Sequence, residues 1–314
     1  MRKIYVYPKL SGIDCLLFRI GGDGMGNLLF TYFDAFIFCK ENDCQFIWPT
    51  WMSLKIGPWI RREKDKRLYC GLYTPENWQI AGIKKVLLLL FSKKVKADLE
   101  MTNFNDFDLS EKEILVWQKC NYKIETFIPY RDEIKNHIWS ITNPRIKEKV
   151  KALYIDEKTV HLHVRMGDFQ EINNTTGERF LLRSPIDWFV NCVRQISEMF
   201  HGRISFLVFS DGTDDELKEL LKQPNTKRVE TGTSIGDILA LSMSKLIIAT
   251  GASTFSLWAR FLGNTSCLCY EKDPIYKVNT FGGFECGIGY ELSEEIMKQI
   301  KNLYNDTGES KDET

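Results

Sequence analysis

The sequence predicts an α/β protein built on mostly parallel sheet. Between Thr159 and Tyr270, short runs rich in Val, Ile, Leu and Phe alternate with amphipathic stretches, which is the spacing of repeated βα units. The runs are apolar almost throughout, as strands covered on both faces are. Near the N-terminus, an apolar run, a glycine-rich turn, an apolar stretch and a second run follow one another, the pattern of a βαβ unit.

In chain order, "CLLFRI" (15–20) reads as a strand, "GGDGMGN" (21–27) as the turn, "LLFTYFDAFIFCKEND" (28–43) as a helix and "CQFIWP" as the next strand. Residues 50–155 are mixed, with helical signals near 83–97 and 131–153. The pattern then becomes regular. "TVHLHVRM" is a strand, and "SPIDWFVNCVRQISEMF" a helix with Ser184 as N-cap and Pro185 in its first turn. "ISFLVFSD" is a strand, and "TDDELKELLKQ" a helix opened by Thr213 and an acidic first turn. "SIGDILALSMS" is a helix, "KLIIAT" a strand, "STFSLWARFLG" a helix ended by Gly263, and "SCLCY" a strand. The expected division is an N-terminal domain over 1–155 and a C-terminal domain over 156–314.

The 314 residues suffice for two domains, and 44% apolar content supports real cores. Lys plus Arg and Asp plus Glu both number 42. A balanced chain offers no global field for nucleic acid, so an anionic ligand needs a local site. Nine cysteines without paired spacing read as buried thiols of a reducing compartment. "MRKIYVYPKL" has no apolar core of a signal peptide, so the expectation is a cytoplasmic protein. "VLLLLF" (86–91) is too short to span a bilayer but is flanked by Lys84, Lys85, Lys93 and Lys94. The simpler reading is a helix with its apolar stripe buried; the other is peripheral contact of the 84–94 segment with the inner face of a membrane.

"HLHVRMGDF" (161–169) carries the main candidate site. Strand alternation puts His161, His163 and Arg165 on one side, with Leu162 and Val164 on the other. A cation in an inner strand is costly unless it meets an anion, and at the strand's carboxyl end it faces the ligand crevice. Gly167 permits a close turn, and Asp168 is placed to orient Arg165 or a hydroxyl. Zinc needs more ligands than His137 and His201 offer, so no metal is expected. Downstream, "ATGASTF" sets Ser253 and Thr254 at a helix start, where unpaired N–H groups suit phosphate. Taken alone, that turn is an ordinary N-cap. Ser210 and Asp211 end another strand, in a run that lacks the spacing of a calcium loop. Asp237 opens a helix, as a first-turn acid or as an acceptor for a guanine edge. No dinucleotide fingerprint, Walker loop or hydrolase elbow occurs.

Together these segments resemble the GDP-fucose-dependent fucosyltransferases, most closely the α-1,2-fucosyltransferase family. "GGDGMGNLLFTYFDAF" is similar to the family's G-G-L-G-N-Q-x-F-x-Y segment, and "HLHVRMGDF" to its H-x-R-R-G-D-Y signature. "VFSDG" with "GDILALSMSKLIIATGASTFSLWARFLG" is similar to its later strand and D-x-x-L…S-T-F-S-W-W block. The family's second arginine is Met166 here, its glutamine is Leu28, and Asp23 lengthens the glycine loop by one residue.

The resemblance implies a GT-B-like fold: two Rossmann-type domains with parallel sheets and a cleft between them. It implies inverting transfer of L-fucose from GDP-fucose to a glycan acceptor, such as galactose O2 of O-antigen, without a metal or other cofactor. Arg165 matches the arginine that grips the diphosphate, and His163 the histidine beside the nucleotide. Asp237 matches the guanine-reading acid, and Ser253, Thr254 and Phe255 the phosphate-binding turn. Gly24, Gly26 and Asn27 match a loop that closes over the donor. Ser210 and Asp211 are counted with the donor site, and Asp168 and Glu171 are the nearest candidates for a general base. The alternatives are a related transferase with another GDP-sugar, a non-catalytic sugar-nucleotide binder, and a membrane-surface adaptor.

Overall fold

A computed structural model describes residues 4–60, 66–97, 113–118, 123–153, 157–167, 169, 182–272 and 284–305. The chain forms two compact units, Met1–Lys147 and Glu148–Thr314. Each is built on parallel sheet.

Unit 1 runs β1 (Tyr5–Pro8), β2 (Ile13–Asp14), β3 (Arg19–Ile20), α1 (Met25–Glu41), β4 (Gln45–Phe46) and β5 (Ser53–Leu54). It continues through α2 (Gly57–Ile60), α3 (Gly82–Phe91), β6 (Lys94–Lys96), β7 (Ile114–Trp117), α4 (Arg131–Ile141) and α5 (Pro144–Ala152), the last of which extends into the second unit. The main sheet has order β4-β1-β7-β6, with every pairing parallel.

The βαβ unit exists, but its first strand is "YVYP", not "CLLFRI". Residues 13–20 instead fold back on themselves. Leu16 sits at φ +70° in the bend, β2 pairs antiparallel with β3, and β3 pairs with β5. The six-residue run is therefore spent on the bend and on the two-residue β3, which pairs back on β2 just before it. α1 is buried over most of its circumference, which accounts for its apolar sequence.

α3 corrects another expectation. It buries Lys85 and Leu89 and packs Leu88 on the core but leaves Ile83, Leu87, Leu90 and Phe91 exposed, so only one of its two apolar faces is covered.

Unit 2 runs β8 (Thr159–Val164), α6 (Ile186–Met199), β9 (Ser205–Ser210), α7 (Lys218–Leu221), β10 (Thr226–Arg228) and α8 (Ser234–Leu241). Then come β11 (Leu246–Ala249), α9 (Thr254–Gly263), β12 (Ser266–Tyr270), β13 (Glu285–Ile288) and α10 (Glu294–Asn305). All six strands are parallel, in the order β10-β9-β8-β11-β12-β13. Counted from β8, this is the doubly wound order 3-2-1-4-5-6, and the order reverses between β8 and β11.

Alternation along β8 works as the sequence predicts. Leu162, Val164 and Met166 join the core with Trp188, Phe189, Ile196 and Ile300 from α6 and α10. His161 and His163 face the other way, toward Leu241 of α8 and Phe255 of α9.

Local boundaries shift for identifiable reasons. Pro185, extended at φ −60° and ψ 137°, is the N-cap of α6 in place of Ser184. Thr213 and Glu216 form a reciprocal capping box, with Thr213 N–H donating to Glu216 Oε2 at 2.8 Å and Glu216 N–H to Thr213 Oγ1 at 3.2 Å. Regular helix begins only at Lys218. Gly263 is the last residue of α9, and Asn264 takes the left-handed cap at φ +54°. A Cβ on Gly263 would overlap the Ser242 carbonyl oxygen, so glycine serves a close backbone approach there. Among the described cysteines Cys15 and Cys70 are exposed, contrary to a wholly buried set.

Candidate active site

The carboxyl ends of β8, β9 and β11 lie side by side, with His163 in register with Phe209 and with Ala249, and Val164 with Ser210. The chain leaving each strand carries the polar residues singled out above. In an open α/β sheet the crevice at the point of strand-order reversal is where ligands bind. Here that point falls between Arg165 and the turn after Ala249.

Arg165 is held from three sides. Its backbone N–H donates to Thr250 Oγ1 at 3.1 Å, and the Thr250 N–H donates to the His163 carbonyl at 3.0 Å, so β8 and β11 are laced past their last ladder bonds. Its guanidinium pairs through Nη1 with Asp211 Oδ2 and lies over the Phe169 ring at 5.6 Å. Asp211 Oδ1 in turn accepts the Met166 N–H at 2.8 Å. The Arg165 and Asp211 side chains remain 19% and 23% exposed. Asp211 therefore fixes the guanidinium fork, and an anion arriving there shares the cation with a carboxylate.

Gly167 is required by this arrangement. A Cβ at that position would overlap Asp211 Oδ2 and stand 3.3 Å from its Cγ and 3.7 Å from Arg165 Cζ. Arg183 supports the turn from below: its Nε donates to the carbonyls of Met166 at 3.0 Å and Phe169 at 2.8 Å, and its Nη1 pairs with Glu216 at 3.2 Å. Asp211 as the partner of Arg165, and Thr250, Arg183 and Gly212 as supports, escaped the sequence reading. Only the ends of "IIAT" and "VFSDG" signalled Thr250, Asp211 and Gly212, and no local pattern signalled Arg183.

His163 is 5% exposed and stacks on Phe255, with centroids 4.9 Å apart and planes 14° from parallel. Burial, and secondarily the Arg165 charge, push its pKa down to about 4, so the imidazole is neutral near pH 7. Its Nδ1 has no hydrogen-bond partner among the described residues.

Ser253 is the N-cap of α9 and makes no side-chain capping bond, with Thr254 and Phe255 in the first turn. Ala252 precedes it at φ +54°. This is the arrangement in which a helix start is open to an anion.

The remaining expected residues are placed differently. The Ser210 hydroxyl donates its one proton to the Val164 carbonyl at 2.6 Å and accepts the Gly212 N–H at 3.0 Å, so it joins the ends of β8 and β9 rather than donating to a ligand. Asp237 Oδ1 accepts Thr231 N–H at 2.7 Å and Thr231 Oγ1–H at 2.8 Å, which organises the entry to α8. Gly24 is the N-cap of α1 and Gly26 and Asn27 lie in its first turn, all in unit 1. Asp168 and Glu171 lie outside the described residues.

His137, one of the histidines weighed for a metal, is a packing residue. It stacks on Phe36 at 4.2 Å, shares a 2.8 Å hydrogen bond with the Tyr32 hydroxyl and lies 3.2 Å from Glu76. Among the described residues no group of three or more His, Cys, Asp or Glu could hold a metal ion.

The family model of glycosyl transferase family 11 matches residues 112–270, just over half of the chain and all of the strand ends just described. The chain belongs to glycosyl transferase family 11. Its Arg165, Asp211 and Thr250 thus lie inside the family-defining segment. The expected α/β class with parallel sheets in both units is the class observed.

Several solved structures are similar at low identity. The fucosyltransferase NodZ from Bradyrhizobium is 11% identical, with coverage of 83% of this chain and 94% of that one and a TM-score of 0.49. POFUT1 in complex with GDP is 13% identical, covering 84% and 96%, also at 0.49. A mutant of Arabidopsis thaliana FUT1 in complex with GDP is 12% identical, covering 87% and 71%, again at 0.49. No curated protein matches the sequence.

Proposed function

We propose that this family 11 glycosyltransferase moves L-fucose from GDP-fucose to a sugar hydroxyl with inversion, galactose O2 of a cell-surface glycan being the acceptor atom. The observation that carries the reading is Arg165, set by Thr250 and Asp211 at the switch point of the unit 2 sheet, next to the N-terminus of α9.

As the bond from fucose to the diphosphate stretches, the sugar gains oxocarbenium character and charge builds on the leaving phosphate oxygens. The Arg165 fork and the N–H groups from Ser253 to Phe255 stabilise that charge more than they stabilise the intact donor. His163, neutral and stacked on Phe255, lines the same strand end and presents a polar edge without adding a second cation. Asp237 reads the guanine edge. Asp168 or Glu171 takes the acceptor proton, and no metal takes part.

Met166 replaces an arginine of the resembled signature, yet it is buried in the core on the opposite face of β8. Its change does not touch the donor side, which favours transfer over mere nucleotide binding.

The test is GDP release from GDP-fucose, with GDP-mannose and UDP-sugars for comparison, over a panel of galactosides. The expected result is acceptor-dependent release with GDP-fucose alone, and a loss of about 10²-fold or more in Arg165→Ala with an unchanged fold. A folded Arg165→Ala enzyme of full activity refutes the assignment, and release with a different donor replaces fucose with that sugar.

A further inference from the structure

Helix α3 is apolar on two opposite faces. Its inner face holds Leu89, with Val86 and Leu88 half-buried, and Lys85, whose Nζ donates to Thr50 Oγ1 at 2.9 Å above the Tyr7 ring. Its outer face holds Ile83, Leu87, Leu90 and Phe91, which are 80%, 50%, 57% and 81% exposed. At about 100° per residue these four fall on one arc, and Lys85 and Leu89 lie on the opposite one. A helix apolar all round requires cover on both sides, and a contiguous exposed patch of this kind marks an interaction surface.

The charge around the patch selects what covers it. From Asn77 to Ala97 the chain carries five lysines and no acidic residue. Lys84 within the helix and Lys94 and Lys96 in the strand that follows it are exposed, and Lys93, also exposed, pairs with Glu113. A second copy of the chain on this face would bring two lysine rims together, which like-charge repulsion opposes. An anionic bilayer surface satisfies both features. Apolar side chains enter the boundary between headgroups and acyl chains, and the ammonium groups stay with the phosphates. Ten residues are too few to cross a bilayer, so the helix lies in the plane of the interface.

We propose that the outer face of α3 docks this protein on the surface of a membrane containing anionic phospholipid. This site is separate from the nucleotide-sugar reading and stands without it.

The test is flotation of the full chain with phosphatidylcholine vesicles and with mixed phosphatidylcholine–phosphatidylglycerol vesicles, at low and high salt. The expected result is binding to the mixed vesicles only, weakened by salt. Leu87→Ser with Phe91→Ser abolishes it, and Lys84→Glu or Lys94→Glu each weakens it by roughly fivefold or more. These side chains are exposed, so thermal unfolding and activity on a soluble acceptor stay at wild-type values. The proposal is overturned if the protein ignores anionic vesicles at low salt, or if the double variant binds as wild type. It is equally overturned if sedimentation shows a dimer that the double variant dissolves.

Discussion

Gly167→Ala is the sharpest probe of the site because it adds one methyl group and no chemistry. The new Cβ would overlap Asp211 Oδ2 and press on its Cγ at 3.3 Å. The carboxylate cannot swing aside freely, because Oδ2 pairs with Arg165 and Oδ1 accepts the Met166 N–H at 2.8 Å. Relief requires a displacement of about 1 Å, which breaks one of these bonds or drags the guanidinium with it. Overpacking of this kind costs about 1–3 kcal/mol of stability, and a misplacement of about 1 Å in a positioning group costs on the order of 10²-fold in turnover. Gly212→Ala is the comparison, since its Cβ would meet Met166 Cγ at 2.8 Å, Ser210 Oγ at 3.2 Å and Met166 Cβ at 3.3 Å, overpacking the core side of the neighbouring turn rather than the Arg165–Asp211 pair. GDP-release kinetics and thermal melts of both variants decide the matter. The reasoning fails if Gly167→Ala retains the wild-type kcat/KM, or if Gly212→Ala, folded, loses more turnover than Gly167→Ala.

Three further outcomes follow from the same geometry. Thr250→Val keeps the shape but leaves the Arg165 N–H without its acceptor, so urea denaturation should show a loss of about 1–3 kcal/mol that Thr250→Ser largely restores. His161 and His163 are held neutral by burial, with pKa values lowered from 6.5 to about 4. Below about pH 6.5 the unfolded chain takes up protons that the folded chain refuses, so stability falls from there to about pH 4 and levels off beneath it. The slope is at most about 1.4 kcal/mol per pH unit for each histidine, and a His161→Asn protein with an unchanged slope in its pH–melting profile would contradict the sign or the source. Asp237→Ala removes the acceptor of two Thr231 hydrogen bonds and should cost about 1–2 kcal/mol. If Asp237 also reads guanine, calorimetry will show the preference for GDP over ADP collapsing in the same variant.

The strand and helix sequence of unit 2 was legible because its strands are buried on both faces and so spell continuous apolar runs. Strand alternation likewise put His161 and His163 on one side of β8 and Leu162 and Val164 on the core side. Edge strands escaped: β10 is "TKR", three polar residues whose pairing with β9 no local pattern announces. In unit 1 the strand beside α1 proved to be "YVYP", because a strand is defined by the neighbours it pairs with, and "CLLFRI" finds its partners in a small separate sheet.

What the sequence determined by itself was the α/β class, the run of βα units and the chemistry available at each strand end, all set by local periodicity and residue type. The tertiary structure alone decided which ends meet. Placing β11 beside β8, across more than eighty residues of chain, brings Thr250 to the Arg165 amide, and placing β9 on the other side delivers Asp211 to its guanidinium. Those partners are chosen by sheet order, a property of the whole packed core, which no window of the sequence contains.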